Sequence, residues 1–191
     1  MQAFLISLST VALAEMGDRT QLLALILATR FRRPLPILAG ILCATTANHA
    51  LAAVLGVWIG NQLSPRILDA VVGLSMVIMA LWMLRPDAAP TEDAKPSRYG
   101  AFLTTLVAFF LAEMGDKTQI ATMALAAGYS NFFAVVAGSS TGLLLADAPV
   151  IFLGKLFAER LPMRALHYGS CLLMLVIGAI FLLRLWQQPT G

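Results

Sequence analysis

The feature that most constrains this chain is a charged motif that occurs twice within strongly apolar sequence. Leu13–Gln21 reads Leu-Ala-Glu-Met-Gly-Asp-Arg-Thr-Gln. Leu111–Gln119 matches it at eight of nine positions, with Lys117 in place of Arg19. Charged side chains are costly inside a membrane and mark functional sites there. The doubled motif therefore predicts a functional site in a membrane-embedded part of the protein.

The surrounding sequence is typical of an integral membrane protein. Of its 191 residues, 59% are hydrophobic and only 12% are charged, whereas a soluble domain carries about 25% charged residues. A membrane span needs roughly 20 mostly apolar residues, and stretches such as 34–60 and 120–146 contain no Asp, Glu, Lys or Arg. The formal charge of +3 comes from scattered bases rather than one basic face, which argues against a nucleic-acid partner.

The start of the chain has some features of a signal peptide, because Ala12-Leu13-Ala14 resembles a cleavage site. A signal peptide normally has basic residues before its apolar run, and none precedes this one. The same string also recurs in the middle of the chain. We therefore expect residues 1–14 to belong to the mature protein.

The two motifs lie 98 residues apart, and other residues repeat at the same offset. Ala39-Gly40 aligns with Ala137-Gly138, and Leu55-Gly56 aligns with Leu153-Gly154. Internal repetition of this kind dictates architecture. Turn and breaker residues divide each half into three predicted helices, at about 2–29, 34–60, 66–84, 100–127, 131–158 and 163–186. We predict an all-α integral membrane protein with a first repeat at 1–84, a linker at 85–99 and a second repeat at 100–191.

Three helices per repeat is an odd number, so the second repeat must enter the membrane from the opposite side. The six transmembrane helices would then form two inverted (antiparallel) repeats, a recurrent transporter architecture. Most bases lie in alternate loops, at 30–33, 85–98 and 155–164, and loops rich in Lys and Arg are cytoplasmic. We therefore predict that both termini lie outside and that the 85–99 linker is cytoplasmic.

Both motif glutamates are predicted near the bilayer midplane, because each lies near the centre of its predicted helix. The spacing of Glu15 and Asp18 places them on one helix face, and the second motif has the same spacing. A glycine between the acids, Gly17 or Gly115, permits close helix approach or a local break. If the repeats are antiparallel, the two motifs can meet. The predicted metal ligands are oxygens of Glu15, Asp18, Thr20, Gln21, Glu113, Asp116, Thr118 and Gln119.

The charge of the doubled motif indicates what it binds. Six charged side chains at the midplane would cost roughly 15–20 kcal/mol unless paired, hydrated or bound to ions. Four acids and two bases leave a net charge of −2, which either a divalent cation or two protons would neutralise. Hard oxygen ligands suit Mn²⁺, Ca²⁺ or Mg²⁺. We therefore predict cation/proton antiport with no resident cofactor, and we expect Arg19 and Lys117 to fix the carboxylates by ion pairing. The simpler alternative is an ion-pair lock between helices, which a doubled, antiparallel motif disfavours.

Three further polar residues lie inside predicted helices. Asp147 aligns with His49 at the repeat offset, and Asn48 precedes His49. Intramembrane Asp and His at equivalent positions indicate a proton relay or a supporting role around the site. Hydrogen-bonded packing is an equal alternative for Asp147 and is favoured for His49 and Asn48.

The doubled Glu-x-Gly-Asp-Lys/Arg-Thr signature resembles that of the bacterial manganese exporter family and its Golgi and chloroplast relatives, within the lysine-exporter superfamily. These proteins are described as Mn²⁺/Ca²⁺:proton exchangers. The resemblance covers nearly the whole chain, and both motif copies fit without departure. It implies that the motif residues form the cation path and that the cargo is manganese.

The leading hypothesis is therefore an inner-membrane transporter that exports Mn²⁺ in exchange for protons by alternating access, and not an enzyme. Alternatives within transport are a Ca²⁺:proton exchanger and, less favoured, an exporter of cationic amino acids. An intramembrane hydrolase would need two carboxyls in different environments, whereas these acids repeat symmetrically. A structural membrane subunit would need the charged helices to face a partner. The expected partners are a divalent metal ion and the lipid bilayer, and the sequence is compatible with a homo-oligomer.

Overall fold

The computed structural model describes residues 1–83, 100–129, 131–153 and 163–187. Every regular element in this part of the chain is helical, which confirms the predicted all-α class. The predicted 85–99 linker and the basic loop around 155–162 lie outside the described residues. The helices are α1 (Gln2–Glu15), α2 (Arg19–Phe31), α3 (Pro34–Gln62), α4 (Pro65–Met83), α5 (Ala101–Glu113), α6 (Lys117–Tyr129), α7 (Phe132–Leu153) and α8 (Met163–Gln187).

The predictions of single helices at 2–29 and 100–127 are wrong, because each is interrupted at its motif. The first break separates α1 from α2, and the second separates α5 from α6. Gly17 has a φ of 87° and Gly115 a φ of 75°, values that an α-helix does not contain and that glycine adopts without steric cost. Of the two roles considered for these glycines, the local break is the one that the structure bears out.

The breaks also overturn the argument that a shared helix face joins the acids of each motif. Glu15 ends α1, whereas Asp18 caps α2 and accepts a hydrogen bond from the Arg19 main-chain N–H at 2.8 Å. A tight turn brings the two residues together instead, since the Asp18 N–H donates to the Glu15 carbonyl at 3.0 Å. The second motif makes the same turn, with 3.1 Å between the Asp116 nitrogen and the Glu113 oxygen.

Four helices of the described part are long and apolar enough to cross a membrane: Pro34–Gln62, Pro65–Trp82, Phe132–Leu153 and Tyr168–Leu185. The shorter helices α1 and α5 are also apolar. The surfaces of α4 and α8 expose large hydrophobic side chains, among them Leu74, Ile78, Leu81, Leu172, Val176 and Ile180. An apolar exterior of this kind is stable against lipid rather than water.

Close helix contacts depend on small residues. Gly40 of α3 faces α5, where an added Cβ would lie 2.8 Å from the Phe102 carbonyl oxygen. Gly138 of α7 faces the Phe4 carbonyl of α1 in the same way. The two contacts are equivalent in the repeat, because Gly138 follows Gly40, and Phe102 follows Phe4, by 98 residues. Small residues at such crossings let helix backbones approach closely, and these two contacts fix α3 and α7 against the helices that end in the motifs.

We predict that Gly56→Ala will destabilise the protein. Gly56 of α3 packs on the main chain of α6 at Met123, and a Cβ there would also lie 3.1 Å from the Ala126 Cβ. Overpacking of this kind costs about 1–3 kcal/mol, so the midpoint of thermal unfolding in detergent should fall. Gly169→Ala is the matched control, because nothing lies within 4 Å of its Cβ position in α8. Equal midpoints for the two variants would contradict the proposed packing.

Candidate cation site

The structure brings the two motifs into direct contact through two crossed ion pairs. Lys117 Nζ lies 3.1 Å from Asp18 Oδ1. Arg19 Nη2 lies 3.1 Å from Asp116 Oδ1, and it also donates to the Ala112 carbonyl at 3.1 Å. The base of each motif therefore pairs with the aspartate of the other motif. The pairing predicted for Arg19 and Lys117 is thus seen between the motifs.

The charged groups at this junction are buried, with one exception. Glu15 and Glu113 are fully buried, and Asp18, Asp116 and Lys117 are nearly so. The Arg19 side chain is 42% exposed, against 7% for Lys117. Burying a charge is costly unless it is paired and hydrogen-bonded. Two bases cannot pair with four acids, so the site requires further positive charge or protons.

Three of the four motif acids gather into one cluster. Glu15, Asp18 and Asp116 each offer a carboxylate oxygen, and these oxygens lie within 4.8 Å of one another. Three carboxylates this close repel one another unless a cation or protons intervene. Oxygen ligands of this type are those that hard divalent cations prefer. We call Glu15, Asp18 and Asp116 the three-carboxylate cluster.

Glu113 is held differently from its repeat equivalent Glu15. Its Oε1 accepts a hydrogen bond from the Thr45 hydroxyl of α3 at 2.9 Å. Glu15 Oε1 accepts instead from Thr20, a residue of its own motif. The second motif's threonine, Thr118, lies 3.4 Å from Asp116 Oδ2. Both motif threonines therefore contact carboxylates, and their predicted role as metal ligands stays a prediction.

The two motif glutamines stabilise the broken turns. Gln21 Oε1 accepts from the Gly17 N–H at 3.1 Å, and Gln119 Oε1 accepts from the Gly115 N–H at 2.7 Å. Gln21 also donates to the Ala146 carbonyl of α7 at 3.0 Å. Main-chain groups freed by a helix break need such partners in an apolar interior. The metal-ligand role predicted for these side chains stays a prediction beside this structural one.

The three supporting residues predicted in the long helices are all fully buried. Asn48 donates to the Phe110 carbonyl of α5 at 2.9 Å. Within the described part of the chain, neither ring nitrogen of His49 and neither oxygen of Asp147 has a hydrogen-bond partner. Asp147 is close enough to Glu15 to interact with it electrostatically. A buried carboxylate in such a setting needs a proton, a water molecule or an ion, so the prediction of a relay or supporting role stays open.

Sequence reasoning missed several residues that contact the motif segments, among them Thr45 and Ser170. Thr45 was overlooked because it lies outside the motif, although it precedes Asn48 and His49 by about one turn and so shares their helix face. Ser170 of α8 donates to the Leu13 carbonyl of α1. No feature of the sequence singles out Ser170, because helices that are distant in the chain bring it to α1.

The chain is similar to known proteins over most of its length. The model of a family described as "Divalent cation/proton antiporter GDT1" matches residues 3–91 and again residues 101–189. A "Putative manganese exporter" from Vibrio cholerae is 49% identical over 95% of this chain and 92% of its own length. A "GDT1-like protein" from Synechocystis is 31% identical over 84% of this chain and 87% of its own. "GDT1-like protein 5" from Arabidopsis thaliana is 28% identical over 93% of this chain and 94% of its own length.

No solved structure matches the chain. The resemblance noted in the sequence is confirmed by the family match, which covers most of the chain, and the apolar helices are those of a multi-pass membrane protein. This chain belongs to the GDT1 family of divalent cation/proton antiporters.

Proposed function

We propose that this protein is a secondary transporter that exports Mn²⁺ from the cytoplasm in exchange for protons, by alternating access. The observation that carries the proposal is the junction of the two motifs, where Glu15, Asp18 and Asp116 converge. Crossed ion pairs hold two of these acids in place. The cation is substrate here, bound by carboxylate oxygens. Glu113, the fourth acid of the two motifs, lies beside this cluster, close enough to interact electrostatically with Glu15.

The exchange of one divalent cation for protons follows from the charge of the site. The four acids and two bases of the motifs carry a net charge of −2. One Mn²⁺ or two protons bring that charge to zero, so either cargo makes the buried site neutral. Asp147, buried and near Glu15, is suited to take or pass a proton. Asn48 of α3 donates to the Phe110 carbonyl of the helix that ends in Glu113, and a supporting role is proposed for it and for the neighbouring His49.

Manganese is proposed as the cargo because the ligands are hard oxygens and because a relative 49% identical to this chain carries the name of a manganese exporter. Ca²⁺ is the second candidate, since the same oxygen ligands also suit it. Calcium accepts more ligands at longer distances than smaller divalent ions do. Three clustered carboxylates favour an ion with a smaller coordination shell.

We further propose six membrane crossings arranged as two inverted repeats. In this arrangement α1 with α2 and α5 with α6 form two broken crossings, and α3, α4, α7 and α8 supply the others. Two observations support it: the family model matches each half separately, and Gly40 and Gly138 make equivalent contacts. The proposed cellular location is the inner membrane of a bacterium, with both termini outside and the 85–99 linker in the cytoplasm.

The first prediction from the proposed function concerns transport itself. Purified protein in liposomes should carry out Mn²⁺ flux, and cells that lack the protein should accumulate manganese and become sensitive to it. Ca²⁺ added to the same liposomes should compete weakly. Absence of Mn²⁺ flux together with robust Ca²⁺ flux would identify the calcium exchanger instead, and absence of both would refute the proposed function.

The second prediction concerns coupling to protons. A lumen more acidic than the outside should drive Mn²⁺ uptake into the liposomes, because protons leaving the lumen exchange for the cation. With two protons for each cation, a gradient of 1 pH unit supports up to about 100-fold accumulation, since each proton contributes about 1.36 kcal/mol. A protonophore should abolish this accumulation. Mn²⁺ uptake that does not depend on the pH gradient would rule out antiport.

The third prediction concerns the motif acids. Glu15→Gln and Glu113→Gln keep side-chain size but remove charge, and each should lower Mn²⁺ flux by at least about tenfold, which corresponds to about 1.4 kcal/mol. Glu159→Gln, which removes an acid outside the motifs, is the control. Size-exclusion profiles and melting midpoints should show that all three variants fold. Wild-type flux in both motif variants would refute the assigned site.

A further inference from the structure

We propose that Thr45 is a positioning residue that holds Glu113 out of the three-carboxylate cluster, and so sets how tightly the site binds its cation. This inference rests on the proposed function, because it concerns the same site. It assigns a role to a residue outside the motifs. It also makes the two motif glutamates unequal, although they are equivalent in the repeat.

The contact between Thr45 and Glu113 is fully buried. Both residues have no exposed surface, and the hydroxyl lies 2.9 Å from Glu113 Oε1. The second oxygen, Oε2, has no hydrogen-bond partner among the described residues. Hydrogen bonds to a charged acceptor are stronger than those between neutral groups. The Thr45 hydroxyl makes the direct hydrogen bond to this carboxylate, and the Asn48 side chain, about one turn further along α3, interacts with it more weakly. Of the two, Thr45 is better placed to fix where the Glu113 carboxylate lies.

The spacing of α3 and α5 makes this contact rigid. Gly40 lies about one and a half turns before Thr45. It packs against Phe102 and Thr105, with its Cβ position 2.9 Å from the Thr105 Cβ. Asn48 lies about one turn after Thr45 and donates to the Phe110 carbonyl at 2.9 Å. Contacts on both sides of Thr45 thus hold α3 against the helix that ends in Glu113.

The equivalent position in the second repeat offers no such hydrogen bond. Leu143 stands 98 residues after Thr45. It is fully buried in α7 and has no hydroxyl to offer. Glu15 accepts instead from Thr20 of its own motif and stays within reach of Asp18 and Asp116. The sequence therefore builds in a difference: one motif glutamate joins the cluster, and the other is held by a neighbouring helix.

This difference has an electrostatic consequence. The three-carboxylate cluster with Arg19 and Lys117 carries a net charge of −1, and the addition of Glu113 makes it −2. A fourth carboxylate beside the cation would strengthen binding and slow release. A transporter needs a site strong enough to load its ion and weak enough to release it. By holding Glu113 back, Thr45 favours release.

The first test compares Mn²⁺ transport kinetics in liposomes. Thr45→Val removes the hydroxyl at nearly constant volume, which frees Glu113 to approach the cluster. We expect KM to fall by about fivefold or more, which corresponds to about 1 kcal/mol, and Vmax to fall with it. Thr45→Ser keeps the hydroxyl and should restore wild-type values. If Thr45 only satisfies a buried carboxylate, Vmax would fall and KM would stay within twofold, and that result would overturn the inference.

Thr122→Val is the matched control. Thr122 is also fully buried, but its hydroxyl donates to the Thr118 carbonyl of its own helix at 2.8 Å. Removing this hydroxyl should leave the position of the Glu113 carboxylate unchanged. The KM of Thr122→Val for Mn²⁺ should therefore equal that of the wild type. An equal fall in KM for Thr122→Val and Thr45→Val would show a general response to a lost hydroxyl and would overturn the inference. Thr45→Ala serves as a second hydroxyl-free variant where Thr45→Val does not fold.

The second test is a double-mutant cycle on equilibrium Mn²⁺ binding, measured by calorimetry on the full-length protein in detergent. Thr45→Val should tighten binding when Glu113 is present, and it should have no effect in a Glu113→Gln background. Non-additivity of this kind isolates a coupling between two residues. Tighter binding in both backgrounds would overturn the inference. Because the cycle measures binding, and can be repeated with Ca²⁺, it still tests Thr45 if the proposed Mn²⁺ transport fails.

Discussion

The crossed ion pairs between the two motifs are the interaction on which the rest of the structure depends. Lys117 neutralises Asp18, and Arg19 neutralises Asp116, so neither half can satisfy its buried charges alone. Removing one partner of the buried Lys117–Asp18 pair costs about 3–5 kcal/mol, because the remaining charge is uncompensated. The breaks contribute as well, since α2 and α6 begin at the junction and direct the positive ends of their dipoles toward the acids. The two halves therefore stabilise each other through the site itself.

The sequence predicted the helical class and the positions of most helix ends, but it did not predict the helix breaks. Apolar composition continues through both motifs, and a continuous apolar run indicates one helix. Gly17 was compatible with either a close helix contact or a break, because a glycine inside a helical pattern is tolerated. Only the positive φ values of Gly17 and Gly115 decide between them. Gln21 supports the break by accepting the Gly17 N–H, and it is itself held by a long-range hydrogen bond to the Ala146 carbonyl of α7, which the sequence does not reveal.

The sequence predicted that the two motifs meet, but it did not predict how their acids are arranged. The repeat makes Glu15 and Glu113 equivalent in sequence, so sequence reasoning treated all four acids alike. The structure separates them, because Thr45 faces Glu113 and its repeat partner Leu143 has no hydroxyl. Neither residue belongs to the motif. A duplicated motif thus identifies which side chains meet, while residues of the surrounding helices determine which of them meet most closely.

The buried position of the site explains why the proposed reaction is an exchange. With no cargo, the four acids and two bases carry a charge of −2, and a charged group is costly to move through a low-dielectric interior. One divalent cation makes the site neutral, and so do two protons. The loaded site can therefore change its access from one side of the membrane to the other at lower cost than the empty site. In the proposed cycle, a cation that leaves is replaced by protons before the site returns, so the energetic penalty on the empty state would couple the two flows.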